Sequence, residues 1–349
     1  MKKIMYALPL AVALAACGSK GGNDAAGGAV KQQLKVVGSS TVYPFTTAVA
    51  EQFQKDNPNV SIVVESTGTG AGMKLFCGGV GANFPDMTNA SRAIKKSEFE
   101  SCVANGAKAI IEVPIGIDGL TFIEGKGSEL ANLTQADIYK ALAANPFGKG
   151  PNTAQTWKDV NPALPAIKIR VLGPPPTSGT RDSLADLYLE KGCNTDPAME
   201  ALKKSDDKKH KDVCTKIRED GAYVEAGEND NLLVQKVSAE PGTLGVLGFS
   251  YLEENLDKVK PVQIAGVSPS EKTIADLSYP GARKLYIYLK GEHIPAKPAL
   301  KDFVAAYAKQ WGPGGPLEKK GLVPFSGADA EAAAKQASEL KPLDPSTLK

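Results

Sequence analysis

Leu34-Lys35-Val36-Val37-Gly38-Ser39-Ser40-Thr41-Val42-Tyr43-Pro44-Phe45 decides the fold. Residues 34–38 form a β-branched run that stops at a glycine. Ser39, Ser40 and Thr41 make a small polar turn, and helical periodicity begins near Phe45. A strand, a turn and a helix in that order is the unit of an α/β protein, and the alternation continues outward from it. Strands are expected at 34–38, 60–66, 109–115, 119–123, 167–173, 262–267 and 284–289. Helices are expected at 45–56, 72–79, 95–105, 135–143, 180–191, 230–237, 298–311 and 328–339, the last two Ala-rich with apolar residues at helical spacing. The run 203–212, Lys-Lys-Ser-Asp-Asp-Lys-Lys-His-Lys-Asp, alternates both signs of charge and reads as a solvated excursion rather than a binding patch.

The 349 residues leave room for two domains. With 42% hydrophobic and 23% charged residues the composition is that of an ordinary globular protein. A net charge of +2 supplies no basic stripe, so nucleic acid is not an expected partner. Past the first 17 residues no apolar run approaches the roughly 20 residues that span a bilayer, which excludes an integral membrane transporter. Lys2-Lys3, the apolar stretch Ile4 to Ala16 and then Cys17 read as a secretory signal peptide over residues 1–16. Leu14-Ala15-Ala16-Cys17 resembles a bacterial lipobox, whose cysteine carries diacylglycerol; an ordinary cleaved signal is the alternative. The small, polar residues after Cys17, through residue 33, form a flexible tether. In an oxidising compartment the remaining Cys77, Cys102, Cys193 and Cys214 imply two disulfides. The local pairings, Cys77 with Cys102 and Cys193 with Cys214, are favoured, although spacing alone does not fix connectivity. A zinc site is disfavoured, because Cys-x-x-Cys spacing is absent and His210 and His293 lie far apart; no metal or other cofactor is expected.

Chemistry concentrates in three turns of one construction: Gly38-Ser39-Ser40-Thr41, Ser66-Thr67-Gly68-Thr69-Gly70-Ala71-Gly72 and Thr177-Ser178-Gly179-Thr180-Arg181. Hydroxyls and glycines at a helix start leave backbone N–H groups pointing outward at the positive end of the helix dipole. Such a turn binds anions. One alone reads as an N-cap; three in one chain point to an anion. Lys74 follows the last glycine of the second turn by two positions and no Ser/Thr succeeds it, so the loop is neither a phosphate-cradling nucleotidase loop nor G-x-G-x-x-G. Without G-x-S-x-G, and with two histidines in polar contexts, a Ser-His-Asp hydrolase has few candidate members.

The order of motifs then carries a resemblance. Gly38-Ser39-Ser40-Thr41-Val42-Tyr43-Pro44, Gly68-Thr69-Gly70-Ala71-Gly72 with Lys74, Asn89-Ala90-Ser91-Arg92 and Ile115-Gly116-Ile117-Asp118-Gly119-Leu120 come first. Ser178-Gly179-Thr180-Arg181, Pro241-Gly242-Thr243-Leu244-Gly245 and Tyr279-Pro280 ahead of Leu285-Tyr286-Ile287-Tyr288 follow. Over about residues 34–340 the chain resembles the substrate-binding lipoproteins of the bacterial ABC transporter for inorganic phosphate. The resemblance implies a type II periplasmic-binding-protein fold, two α/β lobes joined by two crossover strands at the hinge. Lobe 1 is then 34–115 plus 281–349, and lobe 2 is 116–280. The ligand sits between them, where sites tend to lie. The implied phosphate-binding residues are Ser40, Thr41 and the Val42 N–H, Thr69 and Gly70, Ser91 and Arg92, and Ser178, Gly179, Thr180 and Arg181. Arginine is favoured because its fixed fork holds two oxygens. An N-cap role for Ser91 and Ser178 and a surface ion pair for each arginine are the alternatives.

Selectivity needs an acceptor. Phosphate near neutral pH keeps a proton and sulfate keeps none, so a buried carboxylate accepts from the first and repels the second. In the best-known members of the family that carboxylate follows the Ala-Ser pair, where this sequence has Arg92. The family arginine four positions before the Ser-Gly-Thr serine is Pro174 here. Asp118 is therefore the candidate acceptor, with Asp86 and Asp182 behind it, and an N-cap or turn role is the alternative for each. The expected protein is a non-enzymatic monomer in the periplasm or at the cell surface. It would be anchored to a bacterial membrane through lipid on Cys17 and would deliver phosphate to ABC permease subunits. A sulfate or molybdate receptor and a phosphomonoesterase using the same donors remain the alternatives, with a purely structural lipoprotein third.

Overall fold

A computed structural model describes residues 32–348 except Glu129, Ala131, Thr177 and Glu228. The leader 1–16 and Cys17 lie outside the described residues, as does the tether through residue 31. Gln32 and Gln33, assigned to the tether by sequence, instead pair with Val60 and Ser61 and so begin the first strand.

β1 (Gln32–Gly38) lies parallel between β2 (Val60–Ser66) and β3 (Met87–Ala90). β4 (Ile110–Gly125) is a long strand and takes part in two halves of the sheet. The small pair β5 (Asn132–Leu133) and β10 (Gln263–Ile264) stands apart. β6 (Val171–Gly173) lies parallel between β7 (Tyr223–Glu225) and β8 (Leu244–Gly248), and β9 (Val259–Pro261) adds to the end of β4. β11 (Ala282–Lys290) runs antiparallel to both β3 and β4. The first half is thus β2-β1-β3-β11 with the start of β4, and the second is the end of β4 with β8-β6-β7. The switch comes between Gly119, paired with Ala282, and Leu120, paired with Gly248. One strand thus serves both halves, as the two-lobed arrangement implied by the resemblance requires.

Helices cover these sheets by burying one stripe each. α1 (Tyr43–Asp56), with Pro44 in its first turn, buries Phe45, Val49 and Phe53 at helical spacing. Phe53 meets Phe303 edge-to-face at 5.5 Å, and full burial of such a ring stabilises by about 2–3 kcal/mol. α2 (Thr69–Phe76) and α3 (Lys96–Ala104) are joined by the Cys77–Cys102 disulfide. The charge run lies at the surface in two helices, Pro197–Ser205 and Asp207–Cys214, whose N-caps are Asp196 and Asp206. Cys193–Cys214 fastens the second of them to the end of the helix that starts at Gly179. Among the described residues, no helix is long and apolar enough to cross a membrane.

Close backbone contact brings the first two turns together. A Cβ on Gly72 would come within 2.3 Å of the Gly38 Cα, so α2 can start against the end of β1 only because both residues lack side chains. Below them Asp86 is fully buried. Burial pushes its carboxyl up, but hydrogen bonds from His293 Nδ1 at 2.7 Å, Lys297 Nζ at 2.8 Å and the Lys35 amide at 2.8 Å prevail and hold it below the usual range. Asp86, a reserve choice for the anion's proton acceptor, is a structural pin between β1, β3 and β11.

Candidate functional site

A cavity of 660 Å3 lies where the turns after β1, β2 and β3 face the helical stretch that follows β6. Ser39, Ser40, Gly68, Thr69, Gly70, Ser91 and Arg92 form one wall, and Asp182, Asp186 and Glu190 belong to the other. Arg283 reaches in from β11.

The first wall is an array of donors. α2 begins at Thr69 behind Gly68, which has no side chain to cap it, and its earliest intrahelical bond from this end is Gly72 N–H to Gly68 O at 2.9 Å. Its leading amides are thus the orphan donors at a helix N-terminus. Thr69 Oγ1 accepts from the Ser91 amide at 3.1 Å and lies 2.9 Å from Ser91 Oγ, which fixes both hydroxyls at the rim of the cavity. Ser40 Oγ donates across the cleft to Asp182 Oδ2. Arg92 lines the cavity, but its guanidinium is held by both oxygens of Glu98, at 2.9 and 2.8 Å, so its charge is already matched. The Val42 amide is drawn back to Ser39 Oγ at 3.3 Å.

The second wall differs from expectation. Ser178 caps its helix, its Oγ accepting from the Thr180 amide at 3.2 Å. Gly179 packs on the first turn: a Cβ there would fall 2.5 Å from Ser40 O, and its carbonyl accepts from Thr41 Oγ1 at 3.1 Å. Arg181 turns out of the cleft. Its guanidinium stacks 4.4 Å from the centre of the Tyr223 ring and donates to Pro174 O at 3.2 Å. Among the described residues, Thr41, Val42, Asp118 and Ser178 to Arg181 are not on the cavity wall, whereas Ser40, Thr69, Gly70, Ser91 and Arg92 are.

Beside Arg92, the second guanidinium in the cleft belongs to Arg283. Nη2 donates to Thr41 Oγ1 at 3.0 Å and Ser183 Oγ at 2.7 Å, Nε to Asp118 Oδ2 at 3.2 Å, and Nη1 to Asp186 Oδ2 at 2.9 Å. Asp118 also accepts from Ser183 Oγ at 2.9 Å. Arg283 therefore clasps the first turn, the hinge strand β4 and the helix after Gly179 at one point. Sequence reading passed it over, although it sits just after the Tyr279-Pro280 motif in a strand otherwise rich in aromatic and aliphatic residues.

Asp182 is the carboxylate with an unusual environment. Burial, then repulsion from Asp186, raise its pKa to about 6 against the opposing pull of Arg283 and Arg181. Asp182, Asp186 and Glu190 recur every four residues, the spacing of one helix face. That signal was legible. Among the described residues the one grouping of metal-ligand side chains, Cys193, His210 and Cys214, has its two sulfurs joined in a disulfide.

Residues 23–308 match the model of the PBP superfamily domain. The chain is 34% identical over 307 residues to Protein SphX of Synechococcus elongatus, covering 86% of this chain and 79% of that protein. It is 31% identical over 303 residues to the phosphate-binding protein PstS of Staphylococcus saprophyticus, covering 85% and 82% respectively. Among solved structures, that of a possible phosphate binding protein from Planctomyces limnophilus superposes with a TM-score of 0.70 at 27% identity, covering 89% of this chain and 99% of that one.

Proposed function

The chain belongs to the PBP superfamily, and from that premise we propose that it captures inorganic phosphate between its two lobes and delivers it to the permease of an ABC importer. The observation that carries this reading is a cavity in which hydroxyl and amide donors of the first wall face Asp182, whose carboxyl burial pushes up to about 6. The Ser40 hydroxyl, once the anion displaces its bond to Asp182, one hydroxyl of the Thr69–Ser91 pair and the leading amides of α2 at Thr69 and Gly70 donate to the phosphate oxygens. Asp182 accepts the proton that phosphate keeps and sulfate lacks, so a bound sulfate meets an unpaired negative charge. Asp182 takes the place of Asp118 in this role, because Asp118 is already engaged by Arg283 and Ser183. Arg283 holds the lobes in register, and Arg181 supports lobe 2 from outside the cleft.

Relatives named phosphate-binding proteins support the ligand. The protein works as a monomeric receptor without chemical turnover, its lobes being 34–115 with 281–349 and 116–280. Lys2-Lys3, the apolar run to Ala16 and Cys17 support lipid anchoring outside the cytoplasm. Equilibrium dialysis of the anion-stripped protein against radiolabelled orthophosphate tests the reading. One saturable site per chain is expected, weakened about tenfold or more in Thr69→Val, since a hydrogen bond to a charged group is worth about 1.5–3 kcal/mol. Absence of saturable uptake overturns it.

A further inference from the structure

The cavity is larger than the ion assigned to it. At 660 Å3 it falls within the range of about 300–1,000 Å3 that holds a drug-sized molecule, far beyond a single tetrahedral anion. The two walls touch where Thr41 Oγ1 meets Gly179 O at 3.1 Å and where Arg283 clasps Thr41 to Ser183. The additional wall carries both signs of charge, with lysines outnumbering the carboxylates of Asp186, Glu190 and Asp207. Lys95 contributes from the first lobe and Lys191, Lys203 and Lys211 from the second, the last two supplied by the charge run that the sequence alone assigned to solvent.

Charge matching separates these lysines from the arginines. Arg283 is compensated by Asp118 and Asp186, Arg92 by Glu98, Lys203 by Glu190 and Lys211 by Asp207. Among the described residues no carboxylate lies within ion-pair distance of Lys95 or Lys191. Lysines with no carboxylate in direct contact therefore face the cavity from both lobes, Glu98 and Asp207 acting on Lys95 only at longer range. We propose that the cleft takes condensed phosphates, pyrophosphate or a short polyphosphate, with the terminal phosphoryl group on the Ser40, Thr69 and Ser91 donors and the next one held by Lys95 and Lys191. The inference rests on the phosphate reading and extends its substrate class. Condensed phosphate fits better than an organic ester, because an ester's neutral tail would leave both lysines unmatched.

Calorimetric titration of the anion-stripped full chain with orthophosphate, pyrophosphate and glycerol 3-phosphate tests this, in the parent and in the Lys95→Gln/Lys191→Gln double variant. Pyrophosphate is expected to bind at least as tightly as orthophosphate. The double variant is expected to lose about tenfold in pyrophosphate affinity, as removal of two charge contacts implies, while orthophosphate affinity changes less than about threefold. Orthophosphate bound with pyrophosphate excluded overturns the inference and leaves the phosphate reading intact, as does pyrophosphate binding equally to parent and double variant. Glycerol 3-phosphate matching pyrophosphate, with the same loss in the double variant, overturns the restriction to condensed phosphates. Pyrophosphate bound with orthophosphate ignored overturns the phosphate reading instead, and failure of both ligands overturns the two together.

Discussion

Replacing Asp182 by Asn should stabilise the anion-free protein while impairing its selectivity. Asp182 has a folded-state pKa of about 6 against an ordinary 3.8, a difference of about 2 pH units, or about 3 kcal/mol of opposition to its ionisation. Partial solvent access screens this to about 2 kcal/mol. Because the folded-state pKa is the higher one, the stability attached to the proton is fully present below 3.8 and is lost as pH rises through about 6. Asparagine cannot ionise, and its Oδ1 can still accept from Ser40. The variant should therefore match the parent near pH 4 and exceed it by about 2 kcal/mol near pH 8, which in a chain of this size raises Tm by about 3 °C. Thermal unfolding across that pH range reads the effect. A parent as stable as the variant near pH 8, or an advantage equally large near pH 4, refutes the assignment of a desolvated carboxylate. Such a cost at a cavity wall is the mark of a residue retained for binding.

Other outcomes follow from the same geometry. Rejection of sulfate should erode as pH falls through about 6, when Asp182 gains its proton; competition dialysis showing constant discrimination from pH near 5 to 8 contradicts this. Arg283→Met removes the ion partner of a largely buried Asp118 and should cost about 3 kcal/mol, read from the urea midpoint. Arg181→Ala loses a stacking contact on Tyr223 worth about 1 kcal/mol and should leave phosphate affinity within about threefold. Cys193→Ser with Cys214→Ser opens a crosslink of sequence separation 21 and should cost about 3 kcal/mol by loop-closure entropy, measured by chemical denaturation.

Much of this protein was readable from local pattern. Residues 60–66 carry an apolar, β-branched run and form β2 with those bounds. The hydroxyl-and-glycine turns at Ser40 and Thr69 face the cavity because both follow parallel strands whose C-terminal ends meet there. β3 escaped notice, since its four residues are all buried and include Thr88 and Asn89, which give no alternation; Asn89 Oδ1 instead accepts from Thr46 Oγ1 at 2.9 Å. Residues 109–115 and 119–123 read as separate strands in the sequence, yet Gly116 and Gly119 stay in the ladder opposite Leu285 and Ala282, leaving β4 continuous. The arginine exchange was not legible. Arg181 adjoins a binding turn in sequence, but its direction is set by the Tyr223 ring and Pro174 O, whereas Arg283 arrives on a strand far along the chain. Local pattern places turns, and tertiary packing decides which side chain fills them.

The central claim is tested most directly by calorimetric titration of the anion-stripped protein with orthophosphate and then sulfate, near pH 8. One-to-one binding of phosphate, with no heat from sulfate and normal phosphate binding in its presence, is the predicted result. Sulfate that binds as tightly as phosphate, or displaces it, contradicts the account.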